Sequence, residues 1–228
     1  MAKSDNPKRL IVEGQDDLYS VVGLMQHHID WPSDRNASPV FIDIGHSVDE
    51  ILAQDYITTL IKDPTISALG IMLDADEHAA SRYSSFKHHC SRLFPKLPKD
   101  LPTQGLIIDN DDEKRIGLWV MPDNVSSGAL EVFLQYLVPD ASAAIWQHAV
   151  QSASDARDKG AQYRDCHRDK ANLYTWLAWQ DEPGQSPGRA LTRKILDPSS
   201  PNAALFIKWF MELYSLQPSL PLHRMQTP

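Results

Sequence analysis

The sequence predicts an α/β fold with a mostly parallel central sheet flanked by helices, followed by a C-terminal helical extension. Up to about residue 138, short unbroken apolar runs alternate with helical periodicity, as is typical of strands buried on both faces of a sheet. Beyond Pro139 only helical periodicity remains. A hydrophobic content of 42% is enough for a packed core. We therefore expect an α/β domain over 8–138, a helical extension packed on it over 139–216, and a tail over 217–228.

The first half of the chain contains the predicted sheet. The expected elements, in order, are a strand at 9–13, a helix from Asp16 or Asp17 to about 28, a strand at 40–44, a helix at 48–62, a strand at 68–73 and a helix at 77–94. Ser47 is a candidate N-cap for the second helix, because its hydroxyl can accept a free backbone N–H. Apolar runs at 106–109 and 115–121 flank a polar turn, which predicts a hairpin whose second arm joins the sheet.

The remaining elements are helical. A helix is expected at about 129–137, and further helices are expected at 141–154, 155–179 and 202–216. The segment 181–188 contains two prolines and two glycines and is expected to be a loop.

Carboxylates follow two of the predicted strands directly. Glu13-Gly14 ends the first apolar run and Asp17 comes four residues after Glu13, while Asp74 and Asp76 end the third. In open α/β sheets, the carboxyl ends of the strands form the edge where ligands bind. Carboxylate oxygens are the ligands that Mg²⁺ and Mn²⁺ prefer. The pattern therefore predicts a site for Mg²⁺ or Mn²⁺ at this edge.

These motifs resemble those of the TOPRIM domain found in topoisomerases, primases and related nucleases. A third segment, Ser126-Ser127-Gly128-Ala129-Leu130-Glu131, is similar to the serine–glycine–glutamate segment in the TOPRIM part of overcoming-lysogenization-defect nucleases. Those nucleases also carry an acidic residue four positions after the first glutamate, as Asp17 follows Glu13 here. As a whole, the chain resembles the small bacterial TOPRIM-like proteins labelled DUF3226, by motif over about residues 8–138.

The resemblance implies a role for each matching position. Glu13, Asp74 and Asp76 would be catalytic, and together with Asp17 and Glu131 they would hold the metal. Two ions so held would stabilise the attacking and leaving oxygens of a phosphodiester. Alternatively, Glu13 would act as a general acid or base, its pKa raised by neighbouring carboxylates.

Further positions are candidate substrate contacts. Gly14 and Ser126 follow from the resemblance, the glycine because it lets backbone and ligand approach closely. His78 lies two residues after Asp76, although the interpretation as a plain helix-start residue is favoured. Arg164 and Arg168, together with Lys170, would contact phosphates, and the favoured alternative is a solvated helix whose mixed charges pair internally.

The leading functional prediction is a divalent-metal-dependent phosphodiester hydrolase acting on nucleic acid, a nuclease. The resemblance suggests a setting in phage defence or repair, and leaves DNA and RNA both open as substrates. A net charge of −8 argues against a broad basic surface that grips a duplex. It favours the alternatives, which are a catalytically silent module binding metal, nucleotide or a protein partner, or hydrolysis of a small phosphoester. The two cysteines, the missing signal sequence and the missing membrane span predict a cytoplasmic protein, with homo-oligomerisation left open.

Overall fold

The computed structural model describes residues 5–45, 47–110 and 113–219 and has a five-stranded sheet at its centre. The strands are β1 (Lys8–Val12), β2 (Phe41–Ile44), β3 (Ala68–Asp74), β4 (Leu106–Asp109) and β5 (Arg115–Met121). Their order across the sheet is β2-β1-β3-β5-β4, and only β4 runs antiparallel to its neighbour. The predicted α/β class and the mostly parallel sheet are therefore confirmed, as is the hairpin that joins β4 to β5.

Helices cover both faces of this sheet. They are α1 (Gln15–Met25), α2 (Val48–Ile51), α3 (Gln54–Lys62), α4 (Ala79–Cys90), α5 (Leu130–Gln135), α6 (Ala143–Asp158), α7 (Arg168–Leu177), α8 (Pro187–Thr192) and α9 (Ala204–Leu213). Apolar residues from α2, α3 and α4 form one core with the face of β1 that carries Ile11. The opposite core includes Leu10, and there α1 and α5 pack together with residues of the C-terminal helices.

The helical extension shares this second core with the sheet. Trp119 of β5 contacts the rings of Phe206 and Trp209, with centroid separations of 5.3 and 5.6 Å. Helix α8 lies on α1, where the side chain of Gln26 donates to the Thr192 hydroxyl at 2.7 Å and His27 contacts the Leu191 carbonyl. The extension therefore helps to fix the position of α1 over the sheet.

Two predicted helices are wrong in their extent. The helix expected at 48–62 is divided into α2 and α3 at Ala53, whose ψ of 131° is extended. The helix expected at 155–179 is interrupted: α6 ends at Asp158, and Gly160 takes a left-handed φ of 101° that terminates a helix.

Local details around α1 and α8 also differ from expectation. The N-cap of α1 is Gly14 rather than Asp16 or Asp17, and Asp17 instead accepts the Gly14 N–H from inside the first turn. Ser47 does cap α2, as predicted. The expected loop at 181–188 ends early, because Ser186 caps α8 and Pro187 occupies its first turn.

Of the predicted tail, residues 217–219 are described, and the Ser219 N–H donates to the His28 carbonyl at 2.8 Å. The rest of the tail lies outside the described residues. Among the helices described, none combines the length and the apolar character that crossing a membrane requires.

Candidate functional site

The carboxylates singled out in the sequence lie at the carboxyl edge of the sheet. Glu13 follows β1 directly, and Asp74 is the last residue of β3, the neighbouring strand. Asp76 lies two residues further on, while Asp17 and Glu131 are in the first turns of α1 and α5. We call these five residues the acidic site. They come from segments far apart in the chain, and the parallel sheet brings them together.

Backbone hydrogen bonds hold two of these carboxylates in place. Glu13 Oε1 accepts the N–H of Asp74 at 2.8 Å and so bridges the ends of the two central strands. Asp17 Oδ2 accepts the N–H of Gly14, also at 2.8 Å, at the start of α1. These contacts account locally for the motif in which Asp17 follows Glu13 by four residues.

Asp74 and Asp76 connect β3 to the segment that leads into α5. Asp74 Oδ1 accepts the N–H of Leu130 at 3.0 Å. The backbones of Asp76 and Gly128 exchange two hydrogen bonds of 2.9 and 2.7 Å. Gly128 has a φ of 125°, which an L side chain rarely adopts, so its glycine is required for this pairing.

Burial and mutual repulsion raise the pKa of several carboxyls at the acidic site. Burial, followed by the charges of Asp17, Glu13 and Glu131, raises the pKa of Asp74 to about 8. Burial also raises the pKa of Asp17 to about 7, with the charges of Glu13 and Glu131 adding to it. For Glu13 the pKa is raised by burial and by Asp76, against the hydrogen bond from Asp74. At neutral pH, part of this acidic site therefore carries protons.

Two cations contact the acidic site within the described part of the chain. Arg82 of α4 donates from Nε to the Asp74 carbonyl at 3.0 Å and forms an ion pair with the Asp76 carboxylate. Lys170 of α7 lies 3.6 Å from Glu131 Oε1 and 3.3 Å from Asp16 Oδ2. Five carboxylates and Asp16 thus meet two cations, which leaves the region short of positive charge.

Helix α7 reaches the acidic site from the helical extension. Besides Lys170, the Tyr174 hydroxyl donates to Asp16 Oδ2 at 3.1 Å. Burial and the charge of Asp16 raise the pKa of Tyr174 to about 12, so it remains a neutral donor. The extension therefore contributes side chains to the border of the site.

The predicted substrate contacts from the motifs lie around the same edge. The Ser126 hydroxyl donates to Asp123 Oδ2 at 2.8 Å, which orders the turn before α5. His78 is exposed at the start of α4. At Gly14 the backbone is extended and a Cβ would lie 3.4 Å from Asp17 Oδ2, an ordinary contact.

Arg164 and Arg168 lie in the segment that precedes and opens α7, close in sequence to Lys170. Arg164 Nη2 is 3.1 Å from the Nε2 atom of His167. Arg168 donates to Asp165 at 3.0 Å, and Asp165 also pairs with Arg157. Both arginines are exposed and engaged with their own segment, which matches the pattern of a solvated, internally paired helix.

The donor chemistry of the acidic site suits a hard divalent cation, since every candidate ligand is a carboxylate oxygen. As they stand, however, no three Asp, Glu, His or Cys side chains of the described residues are grouped closely enough to hold a metal ion. Two of the candidate ligands are also engaged by cations: Asp76 is paired with Arg82 and Glu131 with Lys170.

Sequence reasoning missed Arg82, Asp16 and Tyr174. Arg82 carried one usable signal, because it lies in the first turns of the helix that follows the Asp74–Asp76 motif. Asp16 and Tyr174 carried none, since their contact joins residues 158 positions apart in the chain. Lys170 was predicted from the sequence as a phosphate contact beside Arg164 and Arg168, but its contact with Glu131 depends on the packing of α7.

Comparison with known proteins identifies the family of the chain and nothing narrower. No curated protein and no solved structure gives a significant match. The family model described as "Protein of unknown function (DUF3226)" matches residues 7–215, which is most of the chain. The protein therefore belongs to the DUF3226 family.

Proposed function

We propose that this protein is a divalent-metal-dependent phosphodiester hydrolase that acts on nucleic acid, built on a TOPRIM-like α/β domain. The observation that carries the proposal is the gathering of Glu13, Asp17, Asp74, Asp76 and Glu131 at the carboxyl edge of the sheet, where two cations contact them among the described residues. A partly buried excess of carboxylates is unfavourable unless protons or cations neutralise it. A divalent cation would supply the positive charge that the carboxylates lack, and once bound it would attract a phosphodiester.

Asp74, Asp76 and Glu131 are the residues that would hold Mg²⁺ or Mn²⁺, together with Glu13 and Asp17. When bound, such an ion supplies positive charge that stabilises the oxygens of a phosphodiester during cleavage. The backbone hydrogen bonds to Asp74 and Asp17 keep one oxygen of each carboxylate engaged, which orients the other.

Proton transfer is the alternative role of Glu13, in place of metal binding. Burial raises its pKa and the Asp74 N–H fixes its position at the end of β1. A carboxyl whose pKa is raised towards the working pH exchanges protons more effectively than an exposed one. Lys170 at the border of the site is placed to contact a phosphate if its ion pair with Glu131 opens.

A second candidate is a catalytically silent module that binds metal, nucleotide or a protein partner. One observation favours it: no described group of three ligands is ready to hold a metal, and Asp76 and Glu131 are occupied by cations. A fold can persist after its chemistry is lost, so the same arrangement is compatible with binding alone.

The test is cleavage of labelled single- and double-stranded DNA and RNA with Mg²⁺ or Mn²⁺. Wild type is compared with Glu13→Gln and Asp74→Asn, and with Asp165→Asn as a control that removes an exposed carboxylate outside the acidic site. We expect metal-dependent cleavage that falls at least about a hundredfold in the two site variants, because each loses a group acting in the transition state. The control should cleave like wild type.

A calorimetric titration with Mn²⁺ separates the two candidates. Metal binding that disappears in the Asp74→Ala/Asp76→Ala double variant, without cleavage of any substrate by wild type, would favour the silent module. Unchanged Mn²⁺ binding in a folded double variant would contradict both, because the acidic site would then not be the metal site.

A further inference from the structure

Arg82 lies at the carboxyl end of β3, where it contacts Asp74 and Asp76 of the acidic site. Its Nε donates to the carbonyl of Asp74 at 3.0 Å, and its Nη2 pairs with the carboxylate of Asp76. The side chain is 25% exposed, so one part of the guanidinium faces solvent. These two contacts use two of the five N–H donors that an arginine carries.

The two contacts of Arg82 differ in how readily they can be exchanged. The Asp74 carbonyl belongs to the end of a sheet strand and stays where it is. The Asp76 carboxylate is 62% exposed, and an ion pair with so exposed a partner contributes little to stability. The backbone of Asp76 is held independently by its two hydrogen bonds to Gly128. Loss of the ion pair would therefore leave the loop intact.

Of the two cations that contact the acidic site, Arg82 pairs with fewer carboxylates than Lys170 does. Lys170 already lies between two carboxylates, Asp16 and Glu131. Arg82 pairs with one carboxylate and spends its other contact on a carbonyl. A planar guanidinium with free donors matches the geometry of a phosphate group.

We propose that Arg82 is a substrate-binding residue that exchanges Asp76 for a phosphate group of the nucleic acid when a divalent ion takes up Asp76. The inference rests on the proposed function, since it needs both a metal and a phosphate-bearing substrate. In the free protein Arg82 neutralises Asp76 in the place of the metal. When the metal is bound, Arg82 would supply positive charge to the phosphate group of the nucleic acid. Without that charge, the carboxylates of the acidic site would repel the nucleic acid.

The experiment measures metal binding and nucleic-acid binding separately, without relying on turnover. Wild type, Arg82→Ala and Arg82→Lys are titrated with Ca²⁺ by calorimetry, and with a fluorescent single-stranded DNA oligonucleotide in Ca²⁺ by anisotropy. Arg92→Ala is the matched control, because Arg92 is exposed just beyond α4 and no ion pair to it is found among the described residues. Circular dichroism confirms that each variant is folded.

We expect Arg82→Ala to weaken oligonucleotide binding about tenfold or more, as the loss of a charge-assisted phosphate contact does. Its Ca²⁺ affinity should be unchanged or higher, because the cation competing for Asp76 has been removed. Arg82→Lys should restore part of the oligonucleotide affinity, and Arg92→Ala should behave like wild type.

Three results would overturn the inference, and they are distinguishable from a failure of the proposed function. Equal oligonucleotide affinity in wild type and Arg82→Ala would show that Arg82 does not touch the substrate. Loss of Ca²⁺ binding in Arg82→Ala would make Arg82 a residue that positions the carboxylates. Wild type that binds Ca²⁺ but no oligonucleotide would also refute it. Wild type that binds no divalent ion would refute the proposed function itself, and this inference with it.

Discussion

Two regions of this protein leave their aspartates in opposite states. Asp165, before α7, is exposed and accepts hydrogen bonds from Arg157 and Arg168, of which Arg157 contributes most to lowering its pKa to about 2. Asp74, at the end of β3, is largely buried among other carboxyls, and its pKa is raised to about 8. The first region is a set of solvated ion pairs that nearly balance one another.

The two regions differ in whether nearby cations compensate the charge of the carboxylates. At Asp165 the arginines arrive within the same segment of chain, as helical spacing allows. At the acidic site the fold brings carboxylates together from the ends of β1 and β3 and from α1 and α5, and these carboxylates outnumber the cations that contact them among the described residues. Carboxylates without compensating charge lower the stability of the fold. Such groups are typical of binding and catalytic sites, in line with the proposed function.

The largest expected effect is on the pH dependence of stability in the absence of divalent ions. Because Asp17 and Asp74 have raised pKa values in the folded state, their stabilising contribution is complete below about pH 4 and is lost as the pH rises towards 8. Asp17→Asn/Asp74→Asn removes this loss. We expect the stability difference between variant and wild type to shift by several kcal/mol in favour of the variant between pH 4 and 9, because each pKa unit corresponds to about 1.4 kcal/mol.

Urea unfolding in EDTA across that pH range measures the difference directly. Using the difference between two proteins cancels the contributions of the remaining ionisable groups. Parallel curves for wild type and variant would show that these carboxyls do not hold protons at neutral pH, and that the two regions do not differ as described.

A smaller effect is expected on the pH dependence of metal affinity. Protons and Mn²⁺ compete for the same carboxylates, so binding at pH 6 must displace protons that are largely absent at pH 8.5. We expect Mn²⁺ to bind at least about a hundredfold more tightly at the higher pH, with release of between about one and two protons at pH 6. Calorimetry in two buffers of different ionisation enthalpy measures both quantities, and pH-independent affinity would place the metal away from Asp17 and Asp74.

The fold was predictable where the sequence carries sharp local contrast. The hairpin of β4 and β5 has the expected bounds, because apolar runs meet a short polar turn on both sides. The division between α2 and α3 was not predictable, since Ala53 is a good helix former and gives no sign of a break. Gly160 did carry a signal, but the strong helical periodicity on both sides of it concealed the end of α6.

In the acidic site, too, some residues could be predicted from the sequence and others could not. Glu13, Asp74 and Asp76 follow the ends of predicted strands, so the parallel topology was enough to expect their proximity, whereas Glu131 was predicted from the resemblance. Their cationic partners depend on tertiary packing, as the 154 residues between Asp16 and Lys170 show. Arg164 and Arg168 were predicted from the density of charge along the sequence, and the contacts described for them lie within their own segment.

A modest effect is expected at the contact between α7 and the acidic site. Lys170 is 48% exposed, so its ion pair with Glu131 should be partly screened by solvent. A double-mutant cycle of Lys170→Met and Glu131→Gln at pH 7 should give an interaction energy of about 0.5 kcal/mol. A value of zero would leave α7 without an energetic link to Glu131 and would limit the role of the extension to packing.

The smallest effect on the pH dependence of stability is expected from Asp165→Asn, which therefore serves as the reference for the acidic-site variant. A lowered pKa means that the contribution of Asp165 to stability is complete above its unfolded value near 4 and is lost only as the pH falls towards 2. Between pH 5 and 9 its unfolding curve should therefore stay parallel to that of wild type, while the Asp17→Asn/Asp74→Asn curve diverges. Mn²⁺ affinity should also remain unchanged in Asp165→Asn. If this variant instead diverged with pH as the site variant does, the pH dependence would reflect the net charge of the protein rather than the burial of carboxyls at the acidic site.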